Sequence, residues 1–283
     1  MDHIGEFFPD SPIWFRWLGR LAAPLFFYAL AVGFQHTRNR KKYLLRLYLA
    51  NVGMVFFNQI MCMLQRKLDY VAYQPKNHNI FTTLFCAGVL ICIWENRKEK
   101  KKFFTYIGIY IFWQAMVMGL AILAEAFDCV WRGNALLQTV LRTNYIFPLL
   151  GGIWDAEGGV FFIVLGVWLY CAVENKWKLA LRYILFCGAY MFMCQGDILY
   201  RIMSRFSFWG YHKLADVIYF GSSFVGIPLG TSDLSLLTEF YQWMMIGALP
   251  IMLSCNGKRG KSLKWLFYAA YPLQFLVLYG ISY

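Results

Sequence analysis

The 283-residue chain is 60% hydrophobic, 20% aromatic and only 15% charged, whereas a typical soluble domain is roughly 45–50% apolar. A soluble domain of this size cannot bury so much apolar surface, so the composition excludes an ordinary soluble protein and predicts one integral membrane domain over residues 1–283. The formal net charge of +12 falls in short clusters between apolar runs. That distribution is typical of membrane topology and argues against nucleic acid as a partner.

Apolar runs recur along the whole chain and predict an all-α, polytopic bundle in the lipid bilayer. They cover about 14–34, 43–64, 80–94, 103–124, 158–173, 179–198, 237–254 and 264–282. Because about 20 residues of helix cross the hydrocarbon core, these runs predict about eight transmembrane helices.

Four short loops between these runs concentrate the positive charge. Loops 36–42, 95–102, 174–178 and 256–264 hold 15 of the 27 Lys and Arg residues. The positive-inside rule places such loops in the cytoplasm. If all four loops lie on the same side, the spans 179–198 and 237–254 already provide the two crossings between the last two loops. The stretch 199–236 therefore cannot cross the membrane.

Two further apolar stretches are interrupted by helix-breaking residues. Pro148, Gly151 and Gly152 interrupt 145–154, while Gly221, Gly226 and Pro228 interrupt 217–229. We expect both stretches to be re-entrant or interfacial, with irregular backbone buried inside the protein. The alternative is that both are true crossings.

Three polar residues near the start of the chain are the candidates for catalysis. His3 has the side chain best suited to act as a general base near neutral pH. Arg20 lies about one turn inside the first span and needs an anionic partner, for which Asp2 is the nearest candidate. The alternatives are an ion pair that only fixes helix packing and a solvated histidine at the chain end.

A dense basic cluster follows the first span and is the candidate binding site for phosphate groups. It consists of His36, Arg38, Arg40, Lys41 and Arg46. Such a cluster suits the phosphates of a nucleotide-like donor, although topology alone also explains it. The eight Cys include no CxxC pair and no His lies at zinc spacing, so we expect no metal site.

Several blocks together resemble the TraX family. They are the stretches 2–5 (DHIG), 17–26 (WLGRLAAPLF) and 33–47 (GFQHTRNRKKYLLRL), followed near the end by 241–243 (YQW), 256–260 (NGKRG) and 264–273 (KWLFYAAYPL). The resemblance extends over nearly the whole chain. It implies a bacterial plasma-membrane protein related to the conjugation protein that acetylates the N-terminal amine of pilin, and more distantly to integral-membrane acyltransferases.

The resemblance implies acetyl transfer from cytoplasmic acetyl-CoA to an amine or hydroxyl of a peptide or cell-surface acceptor. His3 would accept the proton of the acceptor, Arg20 would stabilise Asp2 or a developing oxyanion, and the basic cluster would bind the donor phosphates. His3 and the basic cluster would lie at opposite ends of a span of about 30 Å, so the pantetheine arm would have to reach inward. The alternative is a non-enzymatic membrane protein, such as a transporter-like or scaffold component.

Two features depart from the family pattern. An apolar helix usually precedes the DHIG block, whereas this sequence begins at Met1, so the first helix is expected to be truncated here or encoded further upstream. Gln274 stands where the family tends to have His, which would weaken catalysis if that His takes part in the chemistry.

Overall fold

A computed structural model describes residues 2–8, 10–67, 79–130, 143–154, 156–195, 201, 205, 211–228, 234–255 and 264–281. Every regular element within these residues is helical. The first six helices are α1 (Asp2–Phe7), α2 (Trp14–Gly19), α3 (Ala22–His36), α4 (Arg40–Lys67), α5 (Ile80–Glu95) and α6 (Lys100–Val130). Then come α7 (Thr143–Leu149), α8 (Gly159–Tyr170), α9 (Lys176–Gln195), α10 (Tyr211–Val225), a 3-10 helix (Tyr241–Gly247), α11 (Ala248–Ser254) and α12 (Lys264–Ile281).

The all-α prediction is confirmed for the described residues, but the number of spans is not. Among the described residues, four helical segments are long and apolar enough to cross a membrane: Trp14–His36, Arg40–Met61, Lys100–Ala124 and Lys176–Gln195. Three apolar helices are shorter: Ile80–Glu95, Gly159–Tyr170 and Tyr268–Ile281. The structure therefore supports a protein with several membrane-crossing helices and leaves eight crossings a prediction.

The predicted span at 237–254 is not one continuous α-helix. Residues 236–239 form turns, and the 3-10 helix then leads into α11. Pro250 explains the change, because its ring would clash with the carbonyl group four residues earlier in a continuous α-helix. In the first turn of α11 the same proline is tolerated, since no intrahelical donor is needed there.

The chain divides into two compact units, which are residues 1–33 with 168–283, and residues 34–167. We call the first the terminal unit and the second the central unit. The central unit contains α4, α5, α6 and α7.

The broken stretch 145–154 lies in the central unit and is held by side chains of two long helices. Four successive carbonyl groups, from Pro148 to Gly151, each accept a hydrogen bond. The donors are Asn51, Tyr48, Trp113 and Gln114 in that order, at 2.6, 2.7, 2.9 and 3.1 Å. The side-chain oxygen of Gln114 also accepts the Ile153 N–H at 3.0 Å.

The helical part of this stretch is short, and the re-entrant or interfacial position remains a prediction. The seven-residue helix α7 is about 10 Å long, which is too short to cross a bilayer core of about 30 Å. Gly151 turns the chain with φ +65°, and a Cβ there would lie 2.8 Å from Phe85 Cε1. Irregular backbone at such a position persists only when protein groups satisfy it, and α4 and α6 supply those groups.

The stretch 217–229 is helical over more of its length than predicted. Residues 217–225 form the second half of α10, and the chain then turns at Gly226, whose φ is +87°. The carbonyl group of Gly226 accepts a hydrogen bond from the Tyr190 hydroxyl at 3.3 Å. Tyr183 of the same helix donates to the Met245 carbonyl at 2.5 Å, so α9 anchors two irregular segments of the terminal unit.

Candidate functional site

The first helix is held on α2 by a close approach at Gly5. Arg16 donates a hydrogen bond from Nη2 to the Gly5 carbonyl at 2.6 Å. Gly5 is buried, and a Cβ on it would lie 2.6 Å from Arg16 Nε. The absence of a side chain at Gly5 therefore makes room for the arginine that joins the two helices.

His3 is half-buried and packs against α12. Its ring centroid lies 4.4 Å from that of Phe275 and 6.3 Å from that of Tyr271. One turn further along α1, the Phe7 ring lies 4.9 Å from that of Tyr279. Residues four apart share a helix face, so two aligned ring pairs dock α1 on α12.

The imidazole of His3 is held on two sides within the terminal unit. Phe275 and Tyr271 supply a fixed surface for the imidazole, and α2 supports α1 from another side through Gly5. His3 therefore has a defined environment within the terminal unit.

Arg20 is oriented by residues more than 200 positions away in the sequence. Its Nη1 donates to the Gln242 side-chain oxygen at 2.9 Å, across a separation of 222 residues. Its guanidinium carbon lies 5.0 Å from the centre of the Tyr241 ring. Arg20 also interacts electrostatically with Tyr190 on α9.

The predicted partnership of Arg20 with Asp2 falls outside the described part of the structure, because the Asp2 side chain is not described. Gln242 is the residue that analysis of single positions missed. Its signal was present only in the block 241–243, which resembles the C-terminal part of the TraX family. Gln274, the other departure noted in the sequence, lies on α12 between Tyr271 and Phe275, which both contact His3.

The predicted phosphate-binding residues lie in the central unit, and Arg40 differs from the others. Arg40 donates from Nη2 to Glu95 Oε1 at 3.0 Å, and from Nη1 to the Thr37 carbonyl. Its guanidinium carbon lies 5.6 Å from the centre of the Phe34 ring. Arg40 therefore joins the turn before α4 to the end of α5, which is a structural role.

The remaining members of the basic cluster differ in how far their side chains are exposed. His36, Arg38 and Lys41 are exposed, whereas Arg46 is half-buried and donates from Nε to the Lys42 carbonyl at 3.2 Å. Asn39 begins α4 by accepting the Lys42 N–H at 2.9 Å, which positions the exposed cations around the first turn.

The described residues include no group of three or more His, Cys, Asp or Glu side chains placed to hold a metal ion.

The model of the TraX protein family matches residues 1–195. The chain belongs to the TraX family. The matched part of this TraX-family chain contains His3, Arg20 and the complete basic cluster, whereas Gln242 and Tyr271 lie beyond it. No curated protein and no solved structure matches the chain.

Proposed function

We propose that this TraX-family protein is an integral-membrane acetyltransferase. It moves an acetyl group from acetyl-CoA to an amine, or a hydroxyl, of a membrane or extracytoplasmic acceptor such as a pilin-like peptide. The observation that carries the proposal is that the terminal unit joins a half-buried imidazole and an oriented guanidinium from the start of the chain to partners from its end.

The imidazole of His3 acts as the general base. The acceptor nitrogen attacks the thioester carbonyl carbon, forming a C–N bond while His3 takes the proton of the amine. The tetrahedral intermediate then collapses, the C–S bond breaks, and the CoA sulfur leaves with the electron pair and the proton that His3 returns. The transfer consumes no other reactant.

The guanidinium of Arg20 stabilises the negative charge that develops on the carbonyl oxygen. Gln242 is a neutral acceptor, so its hydrogen bond orients Arg20 without cancelling the positive charge. The Tyr241 ring provides a second, uncharged contact. A donor aligned before the reaction costs little reorganisation when the oxyanion forms.

The donor binds through its phosphates to the cluster at the start of α4. Arg38 and Lys41 are exposed and suit this task, with His36 and Arg46 at its edge. Arg40 contributes positive charge but mainly holds the turn through Glu95. We place these basic loops in the cytoplasm of a bacterial cell, following the positive-inside rule.

The test uses the full-length protein purified in detergent, with acetyl-CoA and an amine-bearing peptide. Wild-type protein is expected to bind acetyl-CoA in calorimetry and to add one acetyl group to the peptide amine, as detected by mass spectrometry. His3→Phe keeps a ring against Phe275 but removes the base, so the rate is expected to fall roughly 10²–10⁴-fold.

Phe7→Leu is the matched control, because it perturbs the neighbouring ring pair on the same helix without removing a base. It is expected to retain most of the activity. Full activity of His3→Phe would show that His3 is not the general base. A wild-type protein that does not bind acetyl-CoA would favour the non-enzymatic alternative.

A further inference from the structure

A groove in the central unit lies beside the basic cluster that the proposed function assigns to the acyl donor. The groove has a volume of about 400 Å³ and runs between α4, α5 and α6. Its walls include Leu44, Val89, Ile93, Tyr106, Ile109 and Trp113. Since Tyr106 and Trp113 are seven residues apart on α6, the groove extends about 10 Å along that helix.

The outer wall of this groove lies on the exposed face of α6. Tyr106, Ile109 and Trp113 are exposed and lie on one side of α6, with the exposed Phe112 beside them. In a helix apolar enough to cross a membrane, such a face contacts hydrocarbon. The groove is therefore open sideways to the acyl chains of the bilayer.

Cations stand at one end of the groove. Lys102 lies one helical turn before Tyr106 on α6. On the opposite wall, Arg40 and Lys41 lie one turn before Leu44 on α4. The segment 95–102, which the acetyl transfer does not use, has five Lys or Arg against two Glu, so positive charge is in excess there.

The ion pair at this end is weak enough to exchange. Lys102 Nζ lies 2.7 Å from Glu99 Oε2, but both side chains are more than half exposed, at 57% and 61%. Exposed pairs of this kind contribute little to stability, so the Lys102 ammonium can turn to an incoming anion at small cost.

We propose that this groove binds one anionic phospholipid, with an acyl chain between α5 and α6 and the headgroup phosphate at Lys102. The chemistry of the groove selects this occupant. The lining is mostly apolar, with Asn96 and two tyrosines as its polar members, so an aliphatic chain fits along it, whereas the two amides of a pantetheine arm would find few hydrogen-bond partners there. Basic residues at the end of membrane helices attract anionic lipid headgroups.

The experiment measures lipid retention by the full-length protein in detergent, using native mass spectrometry. The probes are phosphatidylglycerol, which is anionic, and phosphatidylcholine, which is zwitterionic with the same chains. Phosphatidylglycerol is expected to bind about fivefold more tightly, the effect of one basic residue near an anionic headgroup. Lys102→Gln is expected to remove that difference, while the exposed Lys178→Gln leaves it unchanged.

Ile109 and Ile111 offer a matched pair for testing the groove, because both are on α6 and are 61% and 62% exposed. Ile109→Trp fills the groove and is expected to lower phosphatidylglycerol binding about tenfold, as when two methylene groups are displaced. Ile111 does not line the groove, so Ile111→Trp is expected to bind as wild type does. Val89→Phe fills the groove from α5 and serves as a second variant.

Three results would overturn the proposal. Both headgroups carry a phosphate, so equal binding of the two lipids would show that the site does not select net negative charge. Equal loss in the two tryptophan variants would show that the lipid does not occupy this groove. Displacement of phosphatidylglycerol by acetyl-CoA, with the same response to Ile109→Trp, would assign the groove to the acyl donor. Because none of these measurements requires acetyl transfer, they test the lipid site separately from the proposed function.

Discussion

Replacing Gln114 with Met is expected to destabilise the protein strongly, although the two side chains have similar size. Gln114 is buried on α6 and makes two hydrogen bonds to the broken stretch 145–154, one to the Gly151 carbonyl at 3.1 Å and one from the Ile153 N–H at 3.0 Å. Methionine fills the space but makes neither bond.

The size of the destabilisation depends on which hydrogen bonds the Gly151 carbonyl and the Ile153 N–H keep in the variant. Gly151 keeps a weak contact from Cys86 Sγ at 3.6 Å, so its carbonyl loses only part of its bonding. The Ile153 N–H loses its side-chain acceptor. A buried unsatisfied group costs about 1–3 kcal/mol, and hydrogen bonds between membrane helices average about 0.6 kcal/mol. We therefore expect the free energy of unfolding to fall by about 2–3 kcal/mol.

Thermal unfolding in detergent, followed by circular dichroism, measures this loss. At roughly 2–4 °C per kcal/mol, the Tm of Gln114→Met is expected to fall by about 5–10 °C. Hydrogen exchange adds a local readout, since the Ile153 amide is expected to exchange faster. Thr105→Val is the control, because it removes an exposed side-chain bond on the same helix. If Gln114→Met lowers the Tm no more than Thr105→Val does, the segment is not held by these bonds.

The basic cluster and the topology give two further predictions. Arg40→Ala is expected to lower the free energy of unfolding by about 1 kcal/mol, because it removes the bonds to Glu95 and to the Thr37 carbonyl. Arg38→Ala, at an exposed position, is expected to leave stability unchanged and to weaken acetyl-CoA binding in calorimetry. Unchanged affinity would mean that the basic cluster only sets the orientation of the loop in the membrane. Single cysteines at Asn39, Lys100 and Lys176, in a background without other cysteines, are expected to resist a membrane-impermeant thiol reagent added outside intact cells. Labelling of any of them from outside would contradict the cytoplasmic position of that loop.

The helices and their interruptions were readable from the sequence, because both depend on local chemistry. An apolar run of sufficient length forms a helix in a bilayer, since a helix satisfies its backbone groups within the one segment. The Pro148, Gly151 and Gly152 break appears where predicted, because proline removes a donor and glycine permits the positive φ of Gly151. Hydropathy alone did not reveal that 237–254 changes helix type before Pro250.

The partners of the polar side chains were decided by the tertiary structure. Arg20 lies 222 residues from Gln242, and Arg40 lies 55 residues from Glu95. The sequence by itself determined which segments are apolar, where 145–154 is broken and where positive charge collects, since each of these follows from neighbouring residues. Only the fold decided which buried groups meet, because a hydrogen bond between distant segments depends on how whole helices pack.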